Sequence, residues 1–257
     1  MRIVSYNILA PSYARRDRYP YTDANLLPWE ARRDRLIERI LELDADIVCL
    51  QEVEEYVFRL LQSRMEPFGF HGVYAQKAMH RPDGCATFYS GERLDLVENK
   101  RHLYADGDDA PDSGHIALST RFAADGRDLT VVNTHIRWDN PDARGADHIG
   151  FRQVTNLLQK VVPSPPSPVF VCGDFNAEPQ THVIREMIRA GFADAYAERP
   201  QPTANSERRA KRIDYLFFRG PLSAEPAALP EINDETPLPS DTEPSDHLPI
   251  SAEFRWI

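Results

Sequence analysis

Val169 to Pro179 reads VFVCGDFNAEP. The run from Val169 to Cys172 has the β-branched and aromatic character of a buried strand, yet Asp174 and Asn176 follow it almost at once. Side chains on a strand alternate with period two. The carboxylate and the amide are therefore expected to share one face of the strand end, with Phe175 pointing the other way into the core. Further apolar runs bounded by turn residues read as strands too: RIVSYNIL, ADIVCLQEV, GFHGVYAQ, GCATFYSG, HIALSTRF, DLTVVNTHI, RIDYLFFRG and HLPISAEFRWI.

Helical patterns lie between them. In WEARRDRLIERILELDAD, Leu36, Ile37, Ile40, Leu41 and Leu43 form an apolar stripe opposite a charged face. EEYVFRLLQSRME, HIGFRQVTNLLQKVV and PQTHVIREMIRAG follow the same periodicity, the last closed by Gly191 at a C′ position. Helices and strands alternate at first and strands dominate later, which predicts an α/β sandwich with mixed sheets. Nothing marks a domain boundary, so residues 1–257 are expected to form one domain. The segment PLSAEPAALPEINDETPLPSDTEPS is expected to be mostly loop, with one strand near Ala224 to Leu229, and to form one wall of a site.

Composition narrows the chemistry. The net charge of −10 argues against a broad basic surface that holds long nucleic acid, so a polyanionic substrate needs bound cations to approach. Cys49, Cys85 and Cys172 are odd in number and sit in apolar, strand-like contexts, which reads as reduced core thiols rather than a disulfide framework. The N-terminus is too short and too polar for a signal peptide, and no run approaches a membrane span, so a cytoplasmic location is expected.

Polar residues interrupt the apolar runs at their ends: Asn7, Gln51 with Glu52, Asn133 with His135, Asp174 with Asn176, Asp214, and Asp246 with His247. Singly, each is an ordinary turn former. Glu52 is harder to dismiss, because a carboxylate at the end of a buried run must be paired, solvated or bound to a cation. Strand ends converge on a common crevice, which would bring these groups together. Hard oxygen ligands such as Glu52 and Asp246 suit Mg²⁺ or Mn²⁺. An aspartate that positions water, an amide that holds phosphate without adding charge, and a histidine kept protonated by a carboxylate are the parts for metal-assisted phosphoester hydrolysis.

Taken in order, YNIL, LQEV, NTHI, GDFNAEP, RIDYLFF and SDHLPI resemble the motifs of the endonuclease/exonuclease/phosphatase superfamily, whose members include DNase I and exonuclease III. They span Asn7 to His247, nearly the whole chain. Longer stretches, SYNILAPSYA, LLPWEARRDRLIERILELDADIVCLQEVE, RPDGCATFY and VCGDFNAEPQTHV, are similar to the nocturnin and poly(A) deadenylase branch. PTANSERRAKR departs from that branch by lacking its tryptophan-containing segment, and no docking extension precedes Met1, so recruitment to a deadenylase complex is not expected.

The resemblance implies a four-layer α/β/β/α sandwich of two mixed β-sheets flanked by helices. It implies Glu52 as principal metal ligand, with Asn7 beside it and Asp246 completing the Mg²⁺ or Mn²⁺ site, one metal or two. Asp174 would orient or deprotonate water and Asn176 would hold a phosphate oxygen. Asp214 would keep His247 protonated, and His135 would face the phosphate. Arg137 and Asn133 are further candidates for substrate contact. The implied reaction is hydrolysis of a nucleotide or of an RNA 3′-end phosphodiester. The alternative is a phosphatase for a small phosphorylated metabolite such as a nicotinamide dinucleotide 2′-phosphate. A silent binding module would be expected to lose one of Glu52, Asp174, Asn176 and His247, and all four are present. No membrane partner or stable nucleic-acid complex is expected, and oligomeric state is open.

Other residues have plain readings. His80 and His115 read as surface or strand-edge histidines. The run ERRAKR reads either as a solvated loop or as a device that steers a polyanion. Trp138 and Tyr89 could stack on a nucleobase, although aromatics at strand spacing are mostly core.

Overall fold

Two six-stranded sheets lie face to face with helices outside them in the computed structural model, which describes residues 1–106, 113–124, 126–140, 142–143, 148–163 and 167–257. The first sheet has the order β13 (Leu222–Pro226), β14 (Ile250–Trp256), β1 (Arg2–Asn7), β2 (Ile47–Glu54), β4 (Asp83–Ser90) and β3 (Phe70–Gln76). The second runs β5 (Asp95–Leu103), β6 (Ile116–Ala124), β7 (Arg127–His135), β8 (Val169–Asp174), β12 (Asp214–Arg219) and β9 (Ala193–Asp194). A separate hairpin joins β10 (Ala204–Ser206) to β11 (Arg209–Lys211).

The central pair of each sheet, β1–β2 and β7–β8, is parallel, and the other pairings are antiparallel. Parallel neighbours need a crossover, and each pair has a helix in the connection: α1 (Trp29–Glu42) between β1 and β2, α3 (Ile149–Lys160) between β7 and β8.

The packing of β8 shows why its apolar run is unbroken. Val169 and Val171 pack outward against Val154 and Leu157 of α3 and Val183 and Met187 of α4 (His182–Arg189). Phe170 and Cys172 point inward, meeting Ile3, Cys49 and Ile250 of the first sheet. Both faces are buried, so both sets of alternating positions are apolar. On the other side, Leu36, Ile37 and Ile40 of α1 and Val57 and Leu61 of α2 (Glu55–Met65) cover Val4, Val48 and Leu50. Four layers follow, as the motif resemblance implied. Cys49, Cys85 and Cys172 are free and buried. Gly191 takes φ +83° just past α4, the left-handed turn that ends a helix. Among the described residues, no helix is long and apolar enough to cross a membrane.

Some details depart from the sequence reading. β5 carries the charged stretch DLVENKRHL at the sheet edge, mostly exposed, so it has no apolar alternation to read. The strand expected near Ala224 to Leu229 lies at Leu222–Pro226. His115 is buried, with its ring 5.8 Å from that of His135, rather than at the surface. Burial and the positive charges of Lys77, Arg81 and Arg137 push its pKa down to about 2, so it is neutral.

Candidate active site

Strand register brings the polar residues together. His135 lies opposite Asp174 across β7–β8, and Asp214 lies opposite Asp174 across β12–β8, so three functional side chains stand in a row at one end of the second sheet. Gly173 makes this approach possible, because a Cβ at its φ of +154° would collide with the Thr134 carbonyl. In the first sheet, Asn7 pairs with Gln51 at the end of β1–β2, and the next residue, Glu52, sits at a β-bulge with φ +58°. A left-handed conformation is strained for glutamate, and a bulge re-aims the side chain. Here it turns Glu52 into a cleft of about 650 Å³ that is also lined by His135, Asp174, Asn176, Asp246 and His247.

The cluster around Asp174 is self-neutralising. Asp174 Oδ1 accepts from the Asn176 backbone N–H at 2.8 Å and Oδ2 accepts from Asn7 Nδ2 at 3.0 Å, with His247 Nε2 3.7 Å away. Burial is the main force raising its pKa, to about 7. The charge of His247 opposes that shift and the charge of Asp214 adds to it. His247 Nδ1 lies 2.9 Å from Asp214 Oδ2, which also accepts from the Thr203 hydroxyl at 2.6 Å. Burial works against a charged imidazole, but the carboxylates of Asp214, Asp246 and Asp174 outweigh it and hold the His247 pKa well above the usual range.

His135 is of the opposite kind. Burial first and the Lys77 ammonium second hold its pKa well below the usual range. Lys77 Nζ is 3.2 Å from Nδ1, and the Asn176 amide nitrogen, which also donates to the Ile136 carbonyl at 3.0 Å, is 3.1 Å from Nε2, so both ring nitrogens face donors, with Asp174 Oδ2 3.6 Å from Nε2. Lys77 is itself fixed by Asp83 at 2.7 Å, and Asp83 accepts from the Tyr13 hydroxyl at 2.8 Å.

Around Glu52 the partners are neutral. Its Oε2 accepts from the Ala10 N–H at 2.9 Å and its Oε1 from Asn7 Nδ2 at 3.2 Å, while Asp246 accepts from the Tyr19 hydroxyl at 2.8 Å. Burial raises the Glu52 pKa, and repulsion from Asp246 and Asp83 adds to it. Among the described residues, neither Glu52 nor Asp246 has a basic group within 4.0 Å. Two hard oxygen donors, Glu52 on a strained backbone and Asp246, face an open cleft with no basic group within 4.0 Å of either among the described residues, and they fit Mg²⁺ or Mn²⁺. Asp174, Asp214 and His247 also present candidate ligand atoms within 4.8 Å of one another. Protonation of His247 removes its free lone pair, so that trio suits charge and proton handling better than metal binding.

Several sequence expectations need correction. Asn133 does not reach the cleft. It is fully buried between the sheets, where Nδ2 donates to the Leu50 and Ala86 carbonyls at 3.1 and 2.8 Å and Oδ1 accepts from Gln51 Nε2 at 2.8 Å. Asn7 offers its nitrogen, not its oxygen, to Glu52 and Asp174, and its Oδ1 accepts from the Leu9 N–H at 3.1 Å, so it bridges carboxylates instead of presenting a ligand. Arg137 is half-buried and is not among the described residues lining the cleft. Asn176 reaches Asp174's side of the cleft through a turn at φ +48°, beyond the strand end, rather than through strand alternation. Phe175 does pack into the core, edge-on to Tyr215 and Phe217. Tyr89 is core as well. The segment 221–245 contributes no described residue to the main cleft; it holds the β10–β11 hairpin through Asn205 Nδ2, which donates to the Asn233 carbonyl at 2.9 Å.

Lys77, Asp83, Tyr13, Tyr19 and Thr203 escaped the sequence reading. A signal was available for Lys77: the chain has 26 arginines and 4 lysines, and two of those lysines, Lys77 and Lys211, stand by this cleft.

The model of the Endonuclease/Exonuclease/phosphatase family matches residues 4–247. The chain belongs to this family. Human nocturnin is 27% identical over 288 residues that take in 100% of this chain and 65% of nocturnin, so the chain spans just under two thirds of that relative. The CCR4-Not complex 3′-5′-exoribonuclease subunit Ccr4 of Kluyveromyces lactis is 25% identical over 98% of this chain and 40% of that protein. The solved catalytic domain of human nocturnin, with a bound sulfate anion, superposes with TM-score 0.78 at 27% identity, covering 100% of this chain and 93% of that one. ANGEL2, a 2′,3′-cyclic phosphatase, superposes with TM-score 0.87 at 22% identity over 99% and 95% of the two chains, a likeness of fold. The family and the fold expected from six ordered motifs are both borne out.

Proposed function

We propose that this family member is a divalent-metal-dependent phosphoesterase that hydrolyses a nucleotide or the 3′-terminal phosphodiester of an RNA. The observation that carries the reading is the line Asp214–His247–Asp174: a charged imidazole locked by one carboxylate, next to a second carboxylate whose pKa is raised to about 7. A base works best when its pKa lies near the operating pH, and Asp174 meets that condition. It accepts the proton of the attacking water. His247 stays charged and donates from Nε2 to the phosphate as negative charge builds. Neutral His135 and the Asn176 amide, 3.1 Å apart, face the phosphate from the other side without adding charge. Mg²⁺ or Mn²⁺, held by Glu52 and Asp246, would polarise the phosphate as a Lewis acid. Similarity to an exoribonuclease subunit supports the RNA side of the reading.

The test is hydrolysis of oligo(A) and dinucleotide phosphates by the purified chain with Mg²⁺ or Mn²⁺. Activity is expected to vanish with EDTA and in Asp174→Ala; a folded wild-type chain that cleaves nothing in a broad phosphoester panel would overturn the reading. The net charge of −10 favours a second reading, a phosphatase of small phosphorylated metabolites, and the ratio of dinucleotide phosphate to oligo(A) turnover separates the two.

A further inference from the structure

Trp138 lies three residues beyond His135, where the chain leaves β7, and its side chain is 60% exposed. The other two tryptophans are used: Trp29 is buried, and Trp256 lies under the Arg127 guanidinium at 4.5 Å. Among the described residues, no aromatic ring or guanidinium covers Trp138. It lines the cleft together with Asn176, Arg209, Lys211 and Ile213, so an apolar face stands open beside the candidate reaction centre.

The hairpin supplies the matching charge. Glu207 and Arg208 form its turn with φ of +56° and +55°, the two positive angles of a tight hairpin that glycine or asparagine usually provide. The basic run ERRAKR is thereby divided. Arg208 folds back over the Tyr21 ring at 3.9 Å and pairs with Glu235 at 3.7 Å, and Arg212 pairs with Asp194. Arg209 and Lys211 are two residues apart on β11, share one face, and both line the cleft. Among the described residues, neither has a carboxylate within 4.0 Å. Burial first and the neighbouring Arg209 second lower the Lys211 pKa, against the pull of the Glu178, Glu207 and Asp174 carboxylates.

We infer that Trp138, Arg209 and Lys211 form a nucleobase-and-phosphate subsite, so that the cleft selects ligands carrying a base next to a phosphate over base-free sugar phosphates. A base stacks on the indole while the phosphate lies between the two cations. A sugar phosphate engages the cations alone and leaves the indole wet. The assignment rests on the phosphoesterase reading for its place in catalysis, but binding can be measured without turnover.

The test is a calorimetric titration of the whole chain in EDTA with adenosine 5′-monophosphate and with ribose 5-phosphate, with tryptophan fluorescence read in parallel. Adenosine monophosphate is expected to bind about tenfold more tightly, the scale of one stacked base, and to quench the emission. Trp138→Ala removes the preference without unfolding an exposed site. Trp138→Phe keeps most of the preference and loses the quench. Arg209→Ala with Lys211→Ala weakens both ligands alike. Equal affinity for the two ligands in the wild type, or a quench that survives Trp138→Phe, overturns the subsite. Base preference in a chain that hydrolyses nothing sinks the phosphoesterase reading and leaves the subsite standing; hydrolysis of oligo(A) without base preference does the reverse.

Discussion

The two halves of the cleft handle charge in opposite ways. Around Asp174, charges are answered within the protein: Asp214 holds His247, Asp83 holds Lys77, and burial together with Lys77 keeps His135 neutral. Around Glu52 and Asp246, the partners are an amide, a backbone N–H and a phenol, all neutral. A half that balances its own charge has protons to give and take at defined atoms. A half that leaves two carboxylates facing a cleft calls for a cation from outside. The strained backbone of Glu52 belongs to the second half, where an ordinary strand residue would have turned its side chain elsewhere.

Substitutions on either side should separate these jobs. The largest effect is expected for Asp174→Asn: loss of about 10³-fold or more in kcat with a native circular dichroism spectrum, since the proton acceptor is gone. Glu52→Gln should weaken Mn²⁺ binding by more than about 100-fold in calorimetry, whereas Asp174→Asn should retain most of it. Asp214→Asn tests the charge pairing through pH. With Asp214 present the folded pKa of His247 is raised, so the imidazole stays charged through neutrality. Without it only Asp246 and Asp174 remain to oppose burial, and the alkaline limb of the kcat profile should move to lower pH. The smallest effect on chemistry belongs to Asn133→Ala, which leaves the Leu50 and Ala86 carbonyls and the Gln51 amide short of a partner. It should lower stability by about 2–3 kcal/mol in denaturant titration and leave KM unchanged.

The sequence was most legible where one physical pattern ruled alone. The unbroken apolar run of β8 and the apolar stripe of α1 reported burial directly, and strand-end carboxylates marked Glu52, Asp174 and Asp214 because a buried run leaves such groups in need of a partner. β5 escaped because an exposed edge strand has no burial to report. Asn133 and His135 show a different limit. Period two sets them on the same face of β7, and both do face the first sheet. How far along the strand the sandwich ends and the cleft begins depends on the partner sheet, so one residue became an inter-sheet clamp and the other a cleft residue. Lys77 was hidden for a similar reason: a lysine at a strand end reads as solvated until Asp83 and His135 are brought beside it. The bulge at Glu52 has no local signature in LQEV either.

The division of labour between the two halves is tested most directly by a crystal structure of the chain soaked with Mn²⁺, using the metal's anomalous signal. A peak coordinated by Glu52 and Asp246, with His247 still bound to Asp214 and free of the metal, is expected. A peak ligated by Asp174, Asp214 and His247, with Glu52 and Asp246 left empty, would contradict it.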